Sequence, residues 1–306
     1  FKPFNPKAKL DWFGTLLLAG GSVGLIYGMM KGSTNAKNFF NSQMITFVII
    51  GLALFVIYGI YNRIRKNNTV LPLRFFKSKN FTAANIGIFL AGIASNGPML
   101  LLPLFFQNTK GFTAVEAGLM LIPQGLGMMV TRPLIGKMID RMGARPVVLV
   151  SLAISLLGTL PFIFVHENTN LIWLGLVLFV RGMGIGGLQM PMMTDIFIGL
   201  DKQDIPGASV GQRIIQNVGS SFGSAVILAV VTAVVTSEIA GQMTTKLHQL
   251  AAMHTNLTPT VIAKAKTSVE KAVTLNGYQL GFLVSSIVLI VIAIPAMFLS
   301  QKKVNK

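Results

Sequence analysis

Residues 136–145 read Gly136-Lys137-Met138-Ile139-Asp140-Arg141-Met142-Gly143-Ala144-Arg145, a G-x-x-x-D-R-x-G-x-R string set between two apolar blocks, 114–136 and 146–165. Each block has about the length that carries a helix across a bilayer, roughly 20 residues. The basic interval between them has to be a tight turn, and Gly143 supplies the backbone freedom for it. Asp140, near the end of one helix, is placed to pair with a cation or to cap the amides of the next. Arg141 and Arg145 hold the turn on one side of the membrane.

Working outward from this turn, six more apolar blocks appear, at 12–30, 44–62, 82–106, 171–194, 208–236 and 277–299. Together the eight blocks predict an all-α integral membrane protein with eight transmembrane helices. Composition agrees. Hydrophobic residues make up 52% of the 306 and charged residues 11%, against roughly 25% charged in soluble domains. The 31 glycines suit membrane helices, where small residues let backbones approach.

The formal charge is +17, with 26 Lys and Arg against 9 Asp and Glu. These cations sit in short intervals between apolar blocks. That distribution is topology signalling and not a groove for phosphates, so nucleic acid is not a partner. An even number of spans puts both termini on one side. Sixteen Lys and Arg outside the spans fall on that side and seven on the other, four of the seven in the long interval 237–276. Both ends are therefore expected in the cytoplasm, in a multi-pass cytoplasmic membrane protein. The interval 195–206 is the exception, with Asp195, Asp201 and Asp204 against Lys202. The interval 237–276 reads as a long outer loop whose stretch TPTVIAKAKTSVEKAV has helical character.

Cysteine is absent, which excludes disulfides and thiolate chemistry. His166, His248 and His254 lie outside the apolar blocks in no paired spacing and read as loop residues, so no metal site is expected. Residue 1 is Phe, and the basic, proline-containing FKPFNPKAKL lacks the apolar core of a signal peptide. It reads as a connector between helices, and the chain as a fragment of something longer.

The 136–145 string resembles the signature loop of the major facilitator superfamily, which joins the second and third helices of a six-helix half. On that register the last six spans are one half-bundle, in residues 81–306. Residues 1–80 are then a cytoplasmic lead-in plus two extra helices. This layout is similar to the fourteen-span drug:proton antiporters, as are Leu102-Pro103-Leu104-Phe105-Phe106-Gln107, Ala117-Gly118-Leu119 with Pro123, and the run Arg213–Ala225, RIIQNVGSSFGSA. The resemblance implies a secondary multidrug efflux transporter working by alternating access with a missing N-terminal half. It implies a proton gradient in place of any cofactor, and hydrophobic or cationic small molecules as substrates. A conformational-switch role for Gly136, Asp140, Arg141, Gly143 and Arg145 is implied as well.

Polar residues inside the spans are the candidates for a transport path: Asn96, Arg181, Gln189, Gln212, Gln216 and Asn217. An intramembrane charge is costly, so Arg181 should face a cavity or a partner. It is either a proton-coupling residue, by symmetry with an arginine in the family's other half, or a structural arginine bonded to carbonyls. Gln212 and Gln216 share a helical face, and line a water-filled path or bond across helices. Asn96-Gly97-Pro98 is expected to interrupt the third span. Gly182–Gly187 satisfies GxGxxG but lies inside one apolar span, where close helix packing is its meaning. Thr113 and Glu116 have the spacing of a capping box. No GxxxxGK[ST] string occurs, so ATP hydrolysis is not expected. Three other functions stay open: transport of one specific metabolite, a truncated non-transporting remnant, and a membrane-embedded enzyme. The last would need convergent acids, His or Ser, and only Asp195, Asp201 and Asp204 cluster, so the chain is read as no enzyme.

Overall fold

A computed structural model of the chain describes residues 11–33, 40–252 and 258–301. The helices are α1 (Trp12–Ser33), α2 (Ser42–Ile64), α3 (Lys79–Lys110), α4 (Ala114–Leu119), α5 (Ile122–Met142), α6 (Ala144–Thr159), α7 (Leu171–Ile196), α8 (Ile205–Ala252) and α9 (Pro259–Ala296). Short 3₁₀ turns at Leu73–Lys77 and Leu160–Phe164 complete the described elements. Eight helical segments, counting α4 with α5 and α6 with its 3₁₀ turn, are long and apolar enough to cross a membrane. The chain is thus an all-α membrane protein. Its basic ends, 1–10 and 302–306, lie outside the described residues, as does His254.

The helix starts follow the sequence. Asn41 and Asn170 accept the amides of Met44 and Ile172 at 2.7 and 2.8 Å, as N-caps do. At Thr113 the full reciprocal box forms: Thr113 Oγ1 accepts the Glu116 amide and Glu116 Oε2 accepts the Thr113 amide. Glu116 is a cap.

Three expected elements differ. The fourth span is two helices, because Pro123 has no N–H to continue α4 and instead starts α5. The third span is continuous from Lys79 to Lys110 despite Pro98 and Pro103. Pro98 leaves the Ala94 carbonyl without its helical donor, and the Ser285 hydroxyl of α9 donates to that carbonyl at 2.8 Å. The third concerns 237–276: the helical character expected of 258–273 is present, but residues 237–252, expected as loop, are helix as well. α8 runs 48 residues and α9 begins at Pro259. Ala265, Val269 and Val273 of α9 are buried at a four-residue spacing, so an apolar row packs α9 there where a loop would be polar throughout.

In the bundle α7 packs between α5 and α6, α3 lies against α8 and α9, and α1 pairs with α2 and touches α8. Among the described residues two large buried clusters form most of the core, with two small ones beside them. Ala84, Ile88, Leu188, Met192 and Ile292 belong to one, and Phe105, Phe106, Phe162, Leu178 and Phe282 to the other. The outward faces are equally apolar: Val56, Leu157 and Ile172 are 63%, 66% and 76% exposed. Water would not tolerate a continuous surface of that kind, and lipid requires it.

Candidate functional site

The signature turn is built by three short contacts. Gly143 adopts φ +83°, a conformation that residues with a Cβ avoid, and a Cβ there would meet the Ser300 carbonyl oxygen at 3.0 Å. The glycine requirement is therefore both conformational and steric. Next to it, the Arg145 amide donates to the Ser300 carbonyl at 3.1 Å. Ser300 in turn donates its amide, at 3.2 Å, and its hydroxyl to the buried Asp195 carboxylate at the end of α7. The turn between α5 and α6 is thus tied to the ends of α7 and α9. Asp140 and Arg141 are exposed and Gly136 is half-buried. Asp140 neither caps α6, whose N-cap is Gly143 without a side-chain bond, nor takes part in an ion pair among the described residues. Among the described residues Asp140 makes neither the expected ion pair nor the expected cap.

The acidic cluster disperses. Asp195 is held by Ser300, Asp204 takes a two-pronged bond from Arg74 Nη2 at 2.8 and 2.9 Å, and Asp201 is exposed. Asp195 and Asp204 go to separate partners, so the three do not assemble one acidic site.

The six expected path residues separate into three groups. On α8, Gln212 donates to Gln216 Oε1 at 3.0 Å, and Gln216 donates to Gln189 Oε1 of α7 at 3.1 Å. One turn on, Ser220 Oγ accepts from Asn96 Nδ2 of α3 at 2.9 Å. Gln212, Gln216 and Ser220 recur every four residues, so they form one polar ribbon on α8 that faces α7 and α3. Close approach makes these bonds possible: a Cβ on Gly219 would lie 2.5 Å from the Phe89 carbonyl oxygen, and one on Gly92 would lie 2.9 Å from the Ser220 amide. Asn217 and Arg213 occupy the next row and are exposed.

Arg181 stands apart from this ribbon. It faces α5 and α6, fully buried, and its Nη1 donates to Gln124 Oε1 at 2.9 Å. Arg181 Nε and Nη2 and the neighbouring Ser155 Oγ have no partner among the described residues. The GxGxxG glycines enclose it by packing alternately on the two neighbours. A Cβ at Gly182 would sit 2.1 Å from the Gln124 carbonyl oxygen, and one at Gly184 would sit 2.3 Å from the Ser155 amide. Across the interface, a Cβ at Gly158 of α6 would fall 2.3 Å from the Arg181 amide. The glycine run therefore serves helix contact around a buried cation. Gln124 is the residue that sequence reasoning missed. Its signal was a lone amide in the apolar stretch Ile122–Met129, on a helix that has to pack against an arginine-bearing neighbour.

A polar ribbon between packed helices, a fixed turn between α5 and α6 and a buried cation in a glycine-packed junction are the polar features of this bundle. The sequence model described as Major Facilitator Superfamily matches residues 12–224. Among relatives, a "Multidrug resistance protein B homolog" of Mycobacterium tuberculosis is 27% identical over 213 residues, 69% of this chain and 39% of the relative. A "Probable transport protein HsrA" of Haemophilus influenzae is 28% identical over 211 residues, 69% of this chain and 45% of the relative. "Multidrug resistance protein Stp" of Mycobacterium tuberculosis is 28% identical over 196 residues, 62% of this chain and 35% of the relative. The chain matches less than half the length of each of these three.

Proposed function

The chain belongs to the Major Facilitator Superfamily, a family of membrane transporters, and on that premise we propose that it is the C-terminal eight-span part of a multidrug exporter driven by proton antiport. It works by alternating access: the six-helix unit α3–α9 rocks against a six-span N-terminal half, with both ends of this chain in the cytoplasm. The substrates are hydrophobic or cationic small molecules, and the proton gradient supplies the energy.

The observation that carries the reading is the α8 ribbon. Gln189, Gln212, Gln216, Asn96 and Ser220 bond to one another and carry no net charge. Amides that satisfy each other in the resting state can exchange partners with a passing ligand at low cost. A neutral, adaptable surface of this kind suits substrates of varied shape better than a fixed charge does. The names of two relatives, both multidrug resistance proteins, point the same way. Asn217 and Arg213, exposed beside the ribbon, extend its polar character toward the face where the N-terminal half docks. Arg181 has another role in this reading: it anchors α7 to α5.

The test is dye efflux from energised cells that express the chain alone, the chain joined to a six-span N-terminal half, or the joined form with Gln216→Leu. Efflux from the joined form only, abolished by a protonophore and reduced at least ~10-fold by the substitution, is the expected result; a factor of ten is about 1.4 kcal/mol, the scale of one or two hydrogen bonds. If the joined form reaches the membrane yet exports no dye, the drug assignment fails and transport of one specific metabolite replaces it.

A further inference from the structure

The first two spans enclose a space against the six-helix unit. A partly open cavity of about 310 Å³ lies between them. Its walls include Leu25 of α1, Phe55 of α2, Leu73 and Phe76 of the 3₁₀ turn, Phe89 of α3 and Val218 of α8. Tyr58 also borders it, but its hydroxyl is already committed: it accepts the Leu71 amide and donates to the Leu71 carbonyl, both at 2.9 Å. The wall therefore offers a ligand hydrocarbon contact and nothing to bond. A cavity with this lining does not retain water. Within a bilayer the apolar molecule always at hand is a lipid chain.

Cations gather at one end of that cavity. Arg63, Arg65 and Lys66 lie at the C-terminal end of α2, within about two turns of Tyr58, and Lys77 ends the 3₁₀ turn that forms the wall, with Lys79 at the start of α3. All five are exposed. Among the described residues the ion pairs are Arg74–Asp204 and Lys266–Glu270, so these five have no carboxylate partner. The acids nearby are already engaged. Asp11 accepts the Tyr61 hydroxyl at 2.8 Å and the Val70 amide at 3.3 Å, and Asp204 is bound by Arg74. Cations remain in excess at the end of α2 and on the 3₁₀ turn, the two elements whose Tyr58, Leu73 and Phe76 line the apolar pocket.

We propose that the cavity between the two extra helices and the bundle holds an acyl chain of an anionic phospholipid, whose headgroup phosphate is bound by Arg63, Arg65 and Lys66. The lipid acts as a filler that couples α1 and α2 to α8. It also gives the extra pair of spans a role apart from the substrate path.

The experiment is native mass spectrometry of the purified protein in detergent, titrated with dioleoyl phosphatidylglycerol or dioleoyl phosphatidylcholine. Retention of the glycerol lipid well above the choline lipid is expected. Arg63→Ala, Arg65→Ala and Lys66→Ala together should weaken the glycerol lipid by about 100-fold, three charges at about fivefold each, and leave the choline lipid unchanged. Filling the cavity with Val218→Phe, or with Leu73→Trp from the 3₁₀ turn that lines it, should weaken both lipids. Equal binding of the two lipids by the unaltered protein overturns the proposal. So does glycerol-lipid binding that survives both filling variants, since that is surface attraction alone. Displacement of bound lipid by tetraphenylphosphonium, with filling variants that no longer bind the cation, would assign the cavity to a drug-like molecule and overturn it equally.

Discussion

Replacing Ser285 by alanine removes the donor that compensates for Pro98. The bond is 2.8 Å long and both ends are shielded: Ser285 is 0% exposed and Ala94 1%. No water reaches the Ala94 carbonyl, and Pro98 has no N–H to offer it. Inter-helix hydrogen bonds in membranes average about 0.6 kcal/mol and reach about 1.7, and a carbonyl left bare belongs at the upper end. Ser285→Ala should therefore cost about 1–2 kcal/mol. In a Pro98→Ala background the new amide at 98 serves the same carbonyl, and the cost should fall below about 0.5 kcal/mol, a coupling near 1 kcal/mol. Ser286→Ala is the control. Its hydroxyl bonds the Phe282 carbonyl within its own helix, where the backbone needs no help, and it should cost less than about 0.5 kcal/mol. The assay is reversible unfolding in mixed micelles of increasing sodium dodecyl sulfate, run as a double-mutant cycle. Equal costs of Ser285→Ala in the two backgrounds would refute the compensation, because the hydroxyl would then contribute through packing alone.

Further predictions follow from the junction and the turn. Gln124→Leu removes the hydrogen bond that the buried Arg181 makes among the described residues and should destabilise by about 2–4 kcal/mol in the same unfolding assay, whereas Arg181→Met with Gln124→Leu should recover most of that loss. Gly184→Ala forces a methyl onto α6 backbone and should cost about 1–3 kcal/mol or shift the protein to aggregates on size-exclusion chromatography. Gly143→Ala should lower thermal stability in detergent by about 1–2 kcal/mol, since it meets both an unfavourable φ and the Ser300 carbonyl. The absence of native cysteine permits direct mapping: Gln216→Cys and Asn217→Cys should react with a membrane-impermeant thiol reagent in the whole transporter, and lipid-facing Ile290→Cys should not. Protection of both would remove the water-filled path.

Much of the fold was legible because lipid imposes one rule, an apolar stretch of about 20 residues per crossing, and each of the eight segments contains one. The Thr113–Glu116 cap and the Gly143 turn were legible for a local reason: each is decided by a few adjacent residues. What escaped depends on neighbours distant in sequence. Pro98 reads as a break until Ser285, on another helix, is seen to supply the missing donor. The interval 237–276 reads as a loop with one helical stretch, and its polar residues hide that the helix packs through the apolar row Ala265–Val269–Val273. Arg181 and Gln189 sit on one span and both look like path residues, yet helical rotation sends one toward α5 and α6 and the other toward α8. Residue type placed them in the membrane, and only packing assigned their directions.

The 48 residues of α8 make a rod of about 72 Å, while the hydrocarbon layer is about 30 Å thick. Its stretch beyond residue 236 adds about 24 Å of helix at the same rise, and α9 runs back beside it. A rod held in the bilayer and projecting beyond it, with α9 alongside, is a lever arm. A tilt of about 10° in the clamped part swings that tip by about 4 Å relative to the point where the helix leaves the apolar core, from its rise alone. A spin label at Thr245, exposed near the tip, would thus magnify motions of α8 that are too small to register among the amides deep in the bundle.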